Sequence, residues 1–473
     1  MSTTSMARQR IASLLDDNSF VEIGAKVTAR STDFNLKLTE TPSDGVITGY
    51  GVINGSLVYV YSQDATVLNG SVGEMHAKKI VKLYDMALKM GAPIIGLVES
   101  AGLRLQEATD ALNAFGDIYL KQAEASGVIP QITAIFGNCG GALAISSSMA
   151  DFTFMEAKNG KLFVNAPNCV DGNYTAKCDT SAAAFQAENT DNVDFVADEA
   201  SVISQIRDLV SVLPANNDGE FNFEECTDDL NRVCASLEAS YADPAVLLSQ
   251  LSDNALVVET KASYAKEMVT AFIKLNGATV GVVANRTAKY DDKGEVAEKF
   301  DAKMSPYGMV KAADFVNFCD AFEIPVLSFT NVTGFTSCEC CEKKLAKAAA
   351  KLTYAFMNAT VPTVNVIVGE AYGSAYVVMN SKADITIAWP NAKIGSMDAK
   401  MAAKIIADGQ GADAIDACAK EYEALQNNVE SAARRGYVDE IVDPADTRKY
   451  VIGAFEMLFS KNTLAPEKKH GTV

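Results

Sequence analysis

Two bends of small residues carry the residue types from which a backbone anion site can be made. Asn138-Cys139-Gly140-Gly141-Ala142-Leu143 follows one apolar run, and Ala371-Tyr372-Gly373-Ser374-Ala375 follows another. Glycine is entropically costly, so such a cluster implies a tight turn, close packing or a ligand met by backbone N–H groups. A bend that leaves a strand and opens a helix points unpaired N–H groups and the positive helix end at a ligand. Phosphate is one candidate ligand, but neither bend contains G-x-x-x-x-G-K-[ST] or a G-x-G-x-x-G followed by a spaced acid. The developing oxyanion of a carbonyl is the other. Loss of one such donor costs about 3 kcal/mol of transition-state stabilisation. Earlier turns, Gly102-Leu103 and Gly334-Phe335, supply a second donor to each bend. Two oxyanion holes in one chain imply two carbonyl-bearing ligands.

Other chemistries are poorly supplied. The chain has 2 histidines, His76 and His470. His470 lies in the polar tail KKHGTV, and EMHAKKIVK reads as a helix with His76 on its solvated face. Histidine-based catalysis is therefore not expected. Glu99, Glu107 and Glu370 stand near the turns and would be the bases of a hydratase-like alternative. Of 10 cysteines, only the Cys338–Cys341 run, CECC, is clustered. It lacks a second pair or histidine partners, so no metal site is expected. ALKM, ending at Met90, mimics a biotin-attachment signature but ends a helical run instead of tipping a hairpin.

The elements that must position the bends come in duplicate. APIIGLVESAGL matches IPVLSFTNVTGF, and VIPQITAIFGNCGGALAISSS matches TVPTVNVIVGEAYGSAYVVMN. Pro93 and Pro325, Gly102 and Gly334, Pro130 and Pro362, Gly137 and Gly369, Gly141 and Gly373, and Lys79 and Lys311 all stand 232 positions apart. Upstream, YGVINGSLVYVYSQD and FIKLNGATVGVVANR read as hairpins with Asn-Gly turns. Their offset is 222, so a length change separates them from the rest. The chain reads as two copies of one α/β unit, residues 1–235 and 240–473, parted by the acidic stretch LPANNDGEFNFEECTDDLNR. A net charge of −19 disfavours nucleic acid. The start MSTTSMARQR has no apolar core and no apolar run spans a bilayer, which predicts a cytoplasmic protein.

Long segments then resemble the biotin-dependent acyl-CoA carboxyltransferase subunits of the crotonase superfamily. They include RIASLLDDNSFVEIG, DGVITGYGVINGSLVYVYSQDATVLNGSVGEMHAKKIVKLYDMALKMGAPIIGL, RLQEATDALNAFG, VPTVNVIVGEAYGSAYVVMNSK and RGYVDEIVDP. The resemblance implies two tandem crotonase-like domains, the first binding acyl-CoA and the second biotin carried on a partner protein. It implies an active site shared between subunits of a dimer, often within a hexamer. Gly140, Gly141 and Ala142 would hold the thioester oxygen as the enolate forms. Gly373, Ser374 and Ala375 would hold the biotin ureido oxygen. Gly102, Leu103, Gly334, Phe335, Tyr372, Tyr376 and Val377 would contact the ligands, with Arg104 and Lys78 near CoA phosphates. CO2 would pass between biotin N1′ and the acyl α-carbon.

The resemblance also names partners: a biotin carboxyl carrier protein, with a biotin carboxylase or a membrane decarboxylase subunit that would bring the chain to a membrane. No ATP-binding signature appears here, so a partner must carboxylate biotin. The same chemistry run in reverse, in a decarboxylase or transcarboxylase, is an alternative, as is a silent scaffold that binds both ligands. Departures from the pattern are local. The turn is Ser100-Ala101-Gly102-Leu103-Arg104 where S-G-G-A-R is usual, and Val377 replaces an Asp common in propionyl-CoA enzymes.

Overall fold

Two Asn-Gly turns start the architecture. A computed structural model describes residues 5–30, 41–171, 178–218, 226–291 and 293–463; His470 lies outside them. The chain divides into two compact units, Met1–Glu220 and Phe221–Val473. In the first, β2 (Val46–Ile53) and β3 (Ser56–Gln63) pair antiparallel across Asn54 (φ 48°) and Gly55 (φ 81°). In the second, β11 (Met268–Leu275) and β12 (Ala278–Asn285) do so across Asn276 (φ 52°) and Gly277 (φ 77°). Positive φ at both central residues is what a two-residue type I′ hairpin requires.

The first unit begins with α1 (Met6–Leu14) and β1 (Val21–Ile23). After the hairpin come α2 (Glu74–Met90), β4 (Ile94–Val98), α3 (Ala108–Ala125), β5 (Gln131–Ile135) and β6 (Asn138–Gly140). Then follow α4 (Ala142–Ser148), β7 (Phe152–Glu156), β8 (Lys161–Phe163), α5 (Ala183–Asn189), β9 (Phe195–Ala197) and α6 (Glu199–Val212). Its sheet runs β1-β2-β3-β4-β5-β7-β9, antiparallel through the hairpin and parallel from β3 onward. Strands β4, β5 and β7 are buried throughout, as parallel strands covered on both faces must be.

The second unit opens with α7 (Leu237–Ser240), α8 (Pro244–Leu251) and β10 (Val257–Thr260). A small hairpin of β13 (Ala288–Tyr290) and β14 (Val296–Lys299) leads to β15 (Lys303–Met304), α9 (Pro306–Ala321), β16 (Val326–Val332) and β17 (Gly334–Phe335). Next come α10 (Glu339–Asn358), β18 (Thr363–Tyr372), α11 (Gly373–Val378), β19 (Ile385–Ala388) and β20 (Lys393–Gly395). The unit ends with α12 (Ala399–Ile406), α13 (Ala412–Tyr422), α14 (Val429–Arg434), β21 (Glu440–Ile441) and α15 (Thr447–Met457). Its main path, β10-β11-β12-β16-β18-β19-β21, repeats the first strand order position by position. Gly436 (φ 75°) closes α14 before the last strand and the last helix.

Two expectations need correction. The seam falls near residue 220, not 235. The polar stretch after it belongs to the second unit because Arg448, fully buried there, needs its acceptors. The Arg448 guanidinium donates to Asp229 O at 2.7 Å, and Cys234 N–H donates to Ala445 O at 2.9 Å. His76 is not on a solvated face. It lies on the buried stripe of α2 with Ala77, Ile80, Leu83 and Tyr84. Its Nδ1 is 2.9 Å from Asp44 O, and its Nε2 is 3.3 Å from Gln63 Nε2. Burial, helped by the nearby Arg104 charge, pushes its pKa down to about 3.

Candidate active site

In the first unit the two predicted turns meet at the carboxyl ends of neighbouring strands β4 and β5. Ser100 N–H donates to Asn138 O at 2.9 Å. A Cβ placed on Gly102 would lie 3.6 Å from Gly140 O. Gly102 (φ 89°) and Gly141 (φ 60°, ψ −125°) hold conformations that side chains disfavour. Val72 N–H donates to Gly102 O at 2.8 Å and Arg104 N–H to Val72 O at 3.0 Å, a parallel bridge that turns the N–H of Leu103 to the opposite side. Gly102 N–H is committed to Ser100 Oγ (3.0 Å) and Gly141 N–H to Phe163 O (2.9 Å). Ala142 opens α4, so its N–H has no carbonyl one turn behind it. Leu103 and Ala142 are thus amides that these bonds leave uncommitted, one on each bend.

The second unit builds the same frame. Thr336 N–H donates to Met304 O at 3.0 Å, and Gly334 and Phe335 pair in parallel with Lys303 and Met304. Phe335 therefore takes the place of Leu103, and Met304 that of Val72. Gly373 has the φ of Gly141, 60°, and opens α11, whose first amides include Ser374 and Ala375. The copies differ at Gly334, which is outside the positive-φ region, and a Cβ on it would meet nothing. Asn331 braces the bend by accepting Glu370 N–H at 3.1 Å.

A cleft of about 390 Å³ opens beside Gly373, lined by Tyr376, Val377, Tyr422, Arg435 and Tyr437 among others. Burial pushes the Tyr376 hydroxyl up to about 12, so it stays a neutral donor. Tyr372 is buried and is not among the residues that line this cleft.

Two predicted cationic contacts fare differently. Arg104 is 1% exposed, held between Asp44 (2.7 Å) and Glu107 (2.8 Å), with a further bond to Ser71 O (2.7 Å). A guanidinium so enclosed is unavailable to a phosphate, so that expectation is corrected. Lys78 is exposed and paired with Glu74 one turn back at 2.7 Å. Two of the three candidate carboxylate bases are also engaged. Glu107 binds Arg104 and accepts Glu74 N–H at 2.6 Å, and Glu99 binds Arg10 at 2.5 Å. Sequence reasoning missed the Arg104–Asp44 and Glu99–Arg10 pairs because their partners lie 60 and 89 positions away, whereas Glu107 stands only three positions from Arg104 and was within reach of a local pattern.

The description "Carboxyl transferase domain" matches residues 3–473. The chain belongs to the carboxyl transferase family. Among its relatives, the propionyl-CoA carboxylase beta chain of Roseobacter denitrificans is 41% identical over 486 residues, covering 99% of this chain and 93% of that protein. The methylmalonyl-CoA decarboxylase subunit alpha of Propionigenium modestum is 38% identical, covering 99% and 92%. A solved transcarboxylase 12S, described as a hexamer with hydrolysed methylmalonyl-coenzyme A bound, superposes with a TM-score of 0.90 at 34% identity, covering 98% of this chain and 92% of that one. The carboxyl transferase fold thus accounts for both units and both glycine bends. Among the described residues, no helix is long and apolar enough to cross a membrane.

Proposed function

We propose that this carboxyltransferase moves CO2 between N1′ of carboxybiotin, borne on a carrier protein, and the α-carbon of a short acyl-CoA. The observation that carries the reading is the duplicated frame: Leu103 and Ala142 in one unit, Phe335 and Ser374 in the other, with Gly141 and Gly373, both at φ 60°, directly before Ala142 and Ser374. The first pair receives the thioester oxygen and stabilises the enolate; the second receives the biotin ureido oxygen in the cleft beside Tyr376. Ionised Tyr or His need not serve as base, because the biotin nitrogen released on decarboxylation can take the α-proton. Two of the nearby carboxylates are locked in ion pairs, which disfavours a hydratase-like site. The cleft fits the group that would occupy it: a neutral heterocycle suits neutral tyrosine rings, and Arg435 is at hand for a polar edge.

Homo-oligomerisation, at least to a dimer and up to a hexamer, would bring the acyl-CoA unit of one subunit to the biotin unit of another. Partners are a biotin carboxyl carrier protein with a biotin carboxylase or, for the reverse direction, a membrane decarboxylase subunit. Propionyl-CoA and methylmalonyl-CoA are the acyl groups in the relatives' names. Val377, which stands where propionyl-CoA enzymes commonly have Asp, weakens the case for the propionyl and methylmalonyl pair. The test is CO2 release from malonyl-CoA and methylmalonyl-CoA by the purified protein, with and without free biotin. Biotin-dependent release supports the transferase. Release that ignores biotin, or acyl-CoA binding without release even when carrier protein is added, overturns it.

A further inference from the structure

CECC lies at the head of the 20-residue helix α10, three residues beyond Phe335. Cys338 is bonded to Cys341, with Cα atoms 5.2 Å apart. Cys340 Sγ lies 3.0 Å from Cys338 Sγ, and all three sulfurs lie within 4.8 Å of one another. Cys340 is exposed, whereas Cys341 is buried at 8% exposure. Cys338 is the N-cap of the helix, and its sulfur accepts Cys341 N–H at 3.2 Å. A sulfur in that position is stabilised as thiolate by the helix N-terminus, which makes it both a good nucleophile and a good leaving group. The other cysteines outside this run are dispersed singly, so no second pair competes for the bridge.

We propose that Cys338, Cys340 and Cys341 form a reversible thiol redox site whose substrates are small-molecule or protein disulfides and dithiols. In the oxidising direction, the Cys338 thiolate attacks one sulfur of a disulfide RSSR. The S–S bond of RSSR breaks, a mixed disulfide forms and RS⁻ leaves. Cys341 thiolate then attacks Cys338 Sγ, the protein bridge forms, and the second RS⁻ leaves. Two electrons pass from the cysteine pair to RSSR, and the two protons lost by the pair end on 2 RSH. Reduction by a dithiol reverses these steps. Cys340 gives the bridge a third path: its thiolate attacks Cys338 Sγ and expels Cys341, moving the bridge into solvent and speeding its reduction. The bridge also ties the N-cap of α10 to its first turn, two residues after Thr336, whose N–H donates to Met304 O at 3.0 Å. Its state therefore acts on the Phe335 amide, and this regulatory half rests on the biotin role proposed above.

The test is differential alkylation and peptide mass mapping of the full-length protein equilibrated in glutathione buffers of graded ratio. A 338–341 bridge that forms and opens within that range, is abolished by Cys338→Ser, and is reduced several-fold more slowly in Cys340→Ser supports the site. Complete alkylation of all three thiols in excess oxidised glutathione overturns it. So does binding of one equivalent of Zn²⁺ by the reduced protein, which would make the cluster a metal site. The KM for free biotin, measured in both redox states, should differ by at least about threefold. A titrating bridge with one unchanged KM overturns the regulatory half alone. A titrating bridge with no biotin-dependent decarboxylation in either state overturns the proposed function and leaves the redox site standing.

Discussion

Lys79 and Lys311, 232 positions apart, each end against the first carbonyl of a hairpin strand. Lys79 Nζ donates to Ser43 O at 3.0 Å and to Val46 O, where β2 begins. Lys311 Nζ donates to Lys261 O, Tyr264 O and Met268 O at 2.8, 2.9 and 2.8 Å, where β11 begins. Val46 and Met268 are 222 positions apart, the offset of the hairpins. One lysine per unit therefore ties the block with one offset to the block with the other across the length change, which lies after the hairpin, where the second unit carries β13 and β14. Both lysines are buried.

Removing either ammonium takes a donor away from buried carbonyls, at about 1 kcal/mol or more for each left without one. Lys311→Met removes three such bonds and Lys79→Met two, while Lys261 O keeps the N–H of Tyr264 and Ser43 O that of Val46. Urea unfolding of each variant should show a lower midpoint than the parent, with the larger loss in Lys311→Met. Equal midpoints for parent and variants would mean the cages contribute nothing.

His76 makes stability depend on pH. Folded, burial holds it neutral down to about 3; unfolded, it titrates near 6.5. Between those values the unfolded chain binds the extra proton, so His76 contributes stability above about 6.5 that is lost as pH falls toward 3. Buried Asp151, raised to about 7 by desolvation, has the opposite slope from about 4 to 7. The two are separated by comparison: His76→Gln should lose less stability than the parent between pH 7.5 and pH 5, read as denaturant midpoints. An unchanged difference between the two proteins would show that His76 is not titrating as a buried neutral ring.

Arg104 is the ion-pair partner of two buried carboxylates, Asp44 and Glu107. Arg104→Met leaves them uncompensated, at a cost of about 3–5 kcal/mol. The variant should melt well below the parent, and Arg104→Met combined with Asp44→Asn and Glu107→Gln should recover part of the loss. If Arg104 bound a CoA phosphate instead, the single variant would melt normally and show only a raised KM for acyl-CoA.

The hairpins, the repeated strands and the glycine bends were legible because each rests on local signals: Asn-Gly at two turns, proline before four strands, glycine after them. The repeat made every signal count twice. Arg104 and His76 were misread for a common reason. Each looks like a surface residue in a charged neighbourhood, and each is claimed by a partner from the segment around Asp44, some 30 to 60 positions away. The seam moved for a similar reason, since only the fold shows that Arg448 draws on Asp228 and Asp229. Which amides of the bends are already spent was also beyond the sequence, since the bonds Gly102 N–H to Ser100 Oγ and Gly141 N–H to Phe163 O appear only in the fold.

Gly141→Ala and Gly373→Ala separate the two halves of the reaction. At Gly141 nothing lies within 4 Å of an added Cβ, so the cost there is conformational, about 1–3 kcal/mol for holding a side chain at φ 60°. At Gly373 the same φ is joined by contact with Ser396 O at 3.2 Å. Relief in each case means rotating the bend and misaligning the amide that follows it, Ala142 or Ser374. Loss of one oxyanion donor slows the chemical step about 10²–10³-fold. In biotin-dependent decarboxylation, Gly141→Ala should lower kcat by about that factor and leave the KM for free biotin nearly unchanged. Gly373→Ala, whose bend borders the cleft of Tyr376, should raise the KM for biotin and leave acyl-CoA binding intact by calorimetry. If both variants lose acyl-CoA binding equally, the two bends do not serve separate ligands, and the assignment of one oxyanion hole to each unit fails.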